Sequence, residues 1–386
     1  MKRAVASLPV YGAAARGDWP LAPDIRYLNH GGYGVAPNDV LAVQAEWRAR
    51  IERDPTRFMV EELPTAWRMA ADLLARHMGA SGDDLAFVEN ATVGCNAVLR
   101  SLDLHQGDEI LVTNLGYAAI NKAARYAASR SGARVVEVAI PMPLPEMATL
   151  TAAIAGRVGP RTRLCIFDHI VSPAALVLPV AELTRLAHDA GARVLIDGAH
   201  APGQIALDIP AIGADWYVGN CHKWLMAPRA CGFLWARAEA QAELHPLAIS
   251  HGLGDGFLAE FDWTGTRDPT PMLAMPSAIA THQRMGGAAL MARNAALARD
   301  AARLLCDAWH SPASGPEDAF AAMVSVRLPL AATSREDALR LQRRLAHEHR
   351  LSVPIMAFAG ALWVRIAAQA YNELAEYEHL ARAFHA

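Results

Sequence analysis

An α/β fold is predicted for this 386-residue chain, with a mostly parallel seven-stranded sheet between helices and a smaller C-terminal α+β module. Three observations carry that prediction. Short β-branched runs alternate with stretches of helical periodicity from residue 85 to residue 236, the pattern of strand–helix–strand units. Beyond about residue 270 the character changes to a long alanine-rich helical stretch and a few separate strands. The length suits one large and one small unit, and 53% hydrophobic against 19% charged residues describes a well-packed chain. The expected division is 1–270 for an N-terminal arm with the large unit, and 271–386 for the small one.

Taken in order, the first 26 residues read as an extended arm. "NDVLAVQAEWRARIERD" then carries apolar residues at helical spacing behind a capping Asn38, and "LPTAWRMAADLLARHMG" is a second helix stopped by Gly79. The strands are expected at 85–89, 109–113, 134–140, 163–169, 192–198, 216–220 and 231–236. Helical patterns such as "TVGCNAVLRSL", "AAINKAARYAASR" and "VAELTRLAHDAG" separate most of them. In the small unit one long helix is expected over 276–310, then the strand "AAMVSVRLP", the helix "SREDALRLQRRLAHEHR", the strand "ALWVRIAA" and the terminal helix "NELAEYEHLARAF".

Composition narrows the function classes. A net charge of −3 with no basic patch argues against a nucleic-acid partner. Five cysteines without CxxC spacing suggest neither a disulfide framework nor a zinc knuckle. Asp197, His200, Cys221 and His222 match no zinc spacing, so no metal is expected. Pro9, Arg16 and Asp18 interrupt the N-terminus before a signal-type apolar core can form, and no apolar run is long enough to span a membrane. A cytoplasmic protein is expected. "HGLGDGF" imitates a dinucleotide loop but lacks the strand–turn–helix setting.

In open α/β sheets a ligand lies beyond the carboxyl ends of the strands. Asp197 follows the run "ARVLI"; alone, an acid there is more often a turn residue. Thr92 stands in the first turn of the helix after "LAFVE", where free N–H groups hold a phosphate or merely await a cap. Lys223 follows "WYVGN" and is the only lysine after Lys122 in a chain whose other cations there are arginines. It is either a rim lysine or an amine whose burial lowers its pKa. Together the three make one site. A lysine of depressed pKa forms a Schiff base with an aldehyde, a carboxylate keeps a pyridine nitrogen protonated, and a helix start holds a phosphate. Pyridoxal 5'-phosphate asks for all three.

The chain resembles the class V aminotransferase group of fold-type-I pyridoxal-phosphate enzymes, in its isopenicillin N epimerase-like branch, related to cysteine desulfurases and carbon–sulfur lyases. The motifs are "YLNHGGYG" (27–34), "ENATVGCN" (89–96), "DHIVSP" (168–173), "IDGAHAPGQ" (196–204), "GNCHKWL" (219–225), "WTGTRDP" (263–269) and "WVRIAAQAYN" (363–372). They cover nearly the whole chain. The resemblance implies Lys223 as Schiff-base lysine and proton carrier, Asp197 on the pyridinium nitrogen, and His200 near the phenolic oxygen. It implies Thr92, Val93, Asn220 and His222 at the phosphate, and Ser172 among the cofactor contacts. Tyr117 would stack on the ring, where desulfurases place a histidine; a phenol is a poorer acid or base near neutrality. Thr266 would reach the phosphate of a neighbouring subunit, so a homodimer with shared active sites is implied. Arg365 would clamp the substrate carboxylate, with Asn29 and His30 as further substrate contacts, and Arg267 would face the substrate of the neighbouring subunit.

The implied function is chemistry at the α-carbon of an amino-acid substrate through an external aldimine. The stretch before Arg365, "HRLSVPIMAFAGALWVR", holds no cysteine, so a persulfide-forming desulfurase is not expected. Epimerisation, β-elimination of a sulfur group and transamination remain open, and so does a non-catalytic regulator binding the cofactor.

Overall fold

The structure is a computed structural model that describes residues 9–384. Its seven-stranded sheet runs Leu85–Val88, Gly232–Ala236, Trp216–Asn220, Arg193–Gly198, Thr162–Asp168, Glu109–Thr113, Arg134–Val138 from edge to edge. All neighbours are parallel except Gly232–Ala236, which is antiparallel to both strands beside it. Each expected strand is present to within two residues.

Alternation along the strands fills two cores. Phe87, Leu111, Cys165, Phe167, Ile196, Tyr217 and Phe233 face one helical layer. Val88, Ile110, Val112, Leu164, Ile166, Leu195, Trp216 and Val218 face the other. Apolar residues on both faces are what a sheet between two helical layers requires. A three-stranded antiparallel sheet, in the order Ile355–Phe358, Ala361–Ala367, Met323–Arg327, forms the C-terminal module. Its edge strand Ile355–Phe358 was missed in the sequence, because "SVPIMAF" is short and begins beside a proline.

Three local expectations are corrected. The arm is not extended throughout its described part: Gly12–Asp18 is a 3₁₀ turn. The Gly12 N–H donates to Ala370 O at 2.7 Å, and Trp19 is buried edge-on to Tyr371 with ring centroids 4.9 Å apart. Further on, Arg26–Tyr27 pairs in parallel with Leu351–Ser352, which ties the arm to the C-terminal module. Asn38 does not cap its helix; it is the first helical residue, and its side chain donates to Gly17 O at 3.1 Å. The long helix is two, Met275–Arg284 and Ala288–Trp309. Gly286 and Gly287 separate them at φ 113° and 54°, values outside the right-handed helical region that glycine alone adopts without strain.

Candidate active site

Five sheet-strand ends and the helix Ala91–Ser101 converge on a cavity of about 580 Å³. Thr92, Val93, Tyr117, Asp168, Ser172, Asp197, His200, Asn220, His222 and Lys223 line it together with Glu89, Tyr33 and Arg229. The strand ends set the geometry. Gly198, directly after Asp197, has no room for a Cβ, which would lie 2.2 Å from the Tyr217 hydroxyl. The Tyr217 ring therefore packs against the backbone that carries the carboxylate.

Lys223 opens onto the cavity, but its amine lies deep, 3.1 Å from His200 Nε2. Burial and then Arg365 lower its pKa to about 7, against the pull of Asp197 and Asp168. An ammonium that loses its proton near neutrality is the nucleophile the sequence suggested. Asp197 is 3% exposed and accepts the Ala199 N–H at 3.0 Å. Burial raises its pKa, while Ala199 and Lys223 work the other way. Burial holds His200 well below the ordinary histidine range, so it stays neutral beside the amine.

The helix start is built from side chains. Asn90 accepts the Val93 N–H at 3.0 Å, and Asn220 accepts the Ala91 N–H at 2.9 Å. The Thr92 N–H, second in the helix, has no acceptor one turn back. It is left free to donate to an anion. One expectation shifts accordingly, since the Val93 N–H is engaged by the cap; Asn220 fastens the helix to the strand end through its Oδ1, which leaves its Nδ2 amide to donate. His222 Nδ1 lies 3.1 Å from Cys231 O, so that nitrogen carries the proton and Nε2 is an acceptor. Burial lowers its pKa to about 4, and it meets a phosphate as a donor only after taking up a proton.

Arg365 is 5% exposed, and its Nη1 donates to Ser172 O at 2.7 Å and to Ser172 Oγ at 2.9 Å. Ser172 is thus the residue that aims the arginine. Arg365 Nε and His200 Nδ1 are buried without a partner within the chain, two donors or acceptors left for a bound molecule. Tyr117 is half-exposed at the rim, at the start of the helix Ala118–Ser131.

Five predicted residues do not line the cavity: Arg365, which is held by the lining residue Ser172, and four others. His30 is fully buried, with Nδ1 at 2.9 Å from the Tyr371 hydroxyl and Nε2 at 3.1 Å from Lys223 O. Burial takes its pKa down to about 3. It braces the lysine's backbone and does not reach a substrate. Asn29 precedes the short helix His30–Tyr33 and does not line the cavity; its Oδ1 is buried without a partner. Thr266 is exposed and outside this chain's cavity. Arg267 turns back into its own chain, pairing with Glu89 at 2.8 Å and lying 5.0 Å over the Trp67 ring. Sequence reasoning gave no role to Asp168, though it ends its strand as Asp197 ends the next.

The residues fit pyridoxal phosphate: a deprotonatable amine, a carboxylate with one N–H partner, a helix start with a free N–H, and orphaned polar atoms on His200 and Arg365. Bound there, the cofactor supplies an aldehyde carbon and an electron-withdrawing ring. Lys223 would hold the former, Asp197 would face the ring nitrogen, and Arg365 would orient a carboxylate.

Comparison with known proteins agrees. The profile described as aminotransferase class-V matches residues 39–344. Isopenicillin N epimerase of Streptomyces clavuligerus is 34% identical, over 96% of this chain and 97% of that protein. A probable chloroplastic L-cysteine desulfhydrase of Arabidopsis thaliana is 30% identical, over 93% of this chain and 82% of its own length. A cystine C–S lyase, C-DES, solved with its product cysteine persulfide, shares the fold at a TM-score of 0.78, with 23% identity over 94% of this chain and 97% of that one. The chain belongs to the aminotransferase class-V family and is a pyridoxal-phosphate-dependent enzyme acting on an amino acid.

Proposed function

We propose that the chain transfers the α-proton of an amino acid in the manner of an epimerase, with Lys223 taking the proton and returning it. The observation that carries this reading is the lysine's pKa of about 7 in a cavity whose histidines are held neutral. Lys223 is then the basic nitrogen there that both gains and loses a proton at working pH, as a general acid–base group must. Asp197 remains to stabilise positive charge on the ring nitrogen, and Arg365 to fix the carboxylate so that the α-hydrogen faces the amine. The likeness to the epimerase, which spans nearly all of both proteins, supports the same choice.

A second reading, β-elimination of a sulfur group, is favoured by the likeness to plant L-cysteine desulfhydrases. It uses the same first proton transfer and differs only in what leaves. The test is a panel of amino acids, cysteine and its conjugates included, incubated in deuterated water with the holoenzyme. Deuterium at the α-carbon with appearance of the other enantiomer supports epimerisation. Pyruvate and sulfide from cysteine support elimination, keto acids support transamination, and inertness towards the whole panel counts against catalysis.

A homodimer with shared sites belongs to the proposal, supported by Thr266 standing exposed and outside its own chain's cavity. A carboxylate at 266 would repel a phosphate, so Thr266→Glu should be inactive, as should Lys223→Ala. Mixed under subunit exchange, the two should regain part of the activity, because each heterodimer then holds one intact site. Exchange without recovery would mean that Thr266 serves only its own chain.

A further inference from the structure

Asp168, to which the sequence pattern assigns no role, is placed by the sheet beside Asp197. It ends the strand Thr162–Asp168, and Asp197 is its register partner on the neighbouring parallel strand. Residues so paired project from one face, on strands about 4.8 Å apart. Both carboxyls line the cavity, and they are 7% and 3% exposed. Water is therefore scarce around the pair.

The surroundings do not offer two positive charges. Lys223 is the cation that faces both acids, and its own proton is lost near neutrality. Arg365 acts on Lys223 and His200 and is held by Ser172. His200 and His169 are kept neutral by burial, and the Cys95 thiol and Tyr217 phenol nearby carry no charge, since burial raises both. Two carboxylates in one desolvated layer with less than one full counter-charge cannot both ionise cheaply. Burial and repulsion, not the number of partners, decide which one keeps the proton. Both acids face the lysine; Asp197 has the Ala199 N–H, and Asp168 has the N–H groups of Tyr117 and of its own backbone, but burial and the repulsion of Asp197 outweigh these and push its pKa well up.

We propose that Asp168 stands at neutral pH as an un-ionised acid beside Asp197 and, as a positioning residue, steadies that carboxylate where it faces the cofactor ring. The acid's O–H is the donor a second carboxyl could not supply once ionised. The inference rests on the pyridoxal-phosphate reading only for what Asp197 faces; the proton on Asp168 belongs to the chain without cofactor.

That separation sets the experiment. Infrared spectra of the apo protein at neutral pH should show the carbonyl stretch of an un-ionised carboxylic acid that disappears in Asp168→Asn. The amide keeps the shape and hydrogen-bonding of the acid, so cofactor affinity in Asp168→Asn should stay within about threefold of the parent, while Asp168→Ala should weaken it by roughly tenfold or more. No acid band lost on substitution overturns the proposal, and so does an amide variant as impaired as the alanine one. An unchanged affinity in Asp168→Ala overturns the positioning role. A parent protein that fails to bind pyridoxal phosphate would overturn the functional reading instead, leaving the infrared band to decide Asp168.

Discussion

Lys223→Ala is expected to abolish turnover while leaving measurable affinity for pyridoxal phosphate. The Thr92 N–H, Asp197 and the cavity walls are untouched by the change, so the phosphate and ring keep their contacts. The amine itself has no substitute. The other lysine among the described residues, Lys122, is exposed on the helix Ala118–Ser131 and outside the cavity. A positioned acid–base group is worth roughly 10²–10⁴-fold in rate, and Lys223 also has to hold the cofactor covalently, so the loss should exceed that range. Borohydride should fix the cofactor to the peptide containing residue 223 in the parent protein and to no peptide in the variant. Label on Lys122 would reject the assignment.

The same residue gives a pH dependence with a definite sign. Its folded pKa is lowered, to about 7, by burial and Arg365. The reactive neutral amine therefore grows as pH rises through about 7, and the rate of cofactor attachment to the apo chain should rise through that window and then level. An unburied lysine would keep rising until near its ordinary value of about 10.4.

Asp197→Asn carries the second large effect, and it should separate catalysis from binding. An amide in place of the carboxylate cannot stabilise a positive ring nitrogen, and that nitrogen is what draws electrons away when the α-proton leaves. A charge-assisted hydrogen bond contributes about 1.5–3 kcal/mol, and about 1.4 kcal/mol corresponds to a factor of ten in rate. A fall in kcat of about ten- to a hundredfold or more is expected, with a smaller change in cofactor affinity. Steady-state kinetics beside a cofactor titration measures both. Equal losses in the two would make Asp197 an anchoring residue, and unchanged kinetics would remove it from the site. Asp168→Asn, one strand away, should keep cofactor affinity within about threefold of the parent.

How much of the molecule was legible in the sequence depends on the range of each interaction. Six of the seven sheet strands were readable because a strand buried on both faces must be written as a short apolar run, a purely local requirement, and the half-exposed edge strand Arg134–Val138 was readable from its valines. Lys223 and Asp197 were readable because each stands directly after such a run, and parallel strands deliver the residues at their carboxyl ends to one edge of the sheet. Gly286 and Gly287 were in plain view too, but the alanine-rich periodicity on either side masked the break that their positive φ values impose.

By itself, the sequence determined the fold class, the cofactor chemistry and the order of the site residues along the chain. Only the tertiary structure decided which partners those residues have. His30 was named beside the substrate, yet its ring is spent on Tyr371 and on the backbone of Lys223. Arg267, expected to face a neighbouring subunit's substrate, pairs within its own chain with Glu89, 178 residues earlier. Asn220 holds the Ala91 N–H across 129 residues, and Asp168 gains its role only from the register that sets it against Asp197. The physical reason is the same in each case. A residue's type and its local pattern fix what it can bond to, whereas burial and strand register, which bring distant segments within hydrogen-bonding distance, fix what it does bond to.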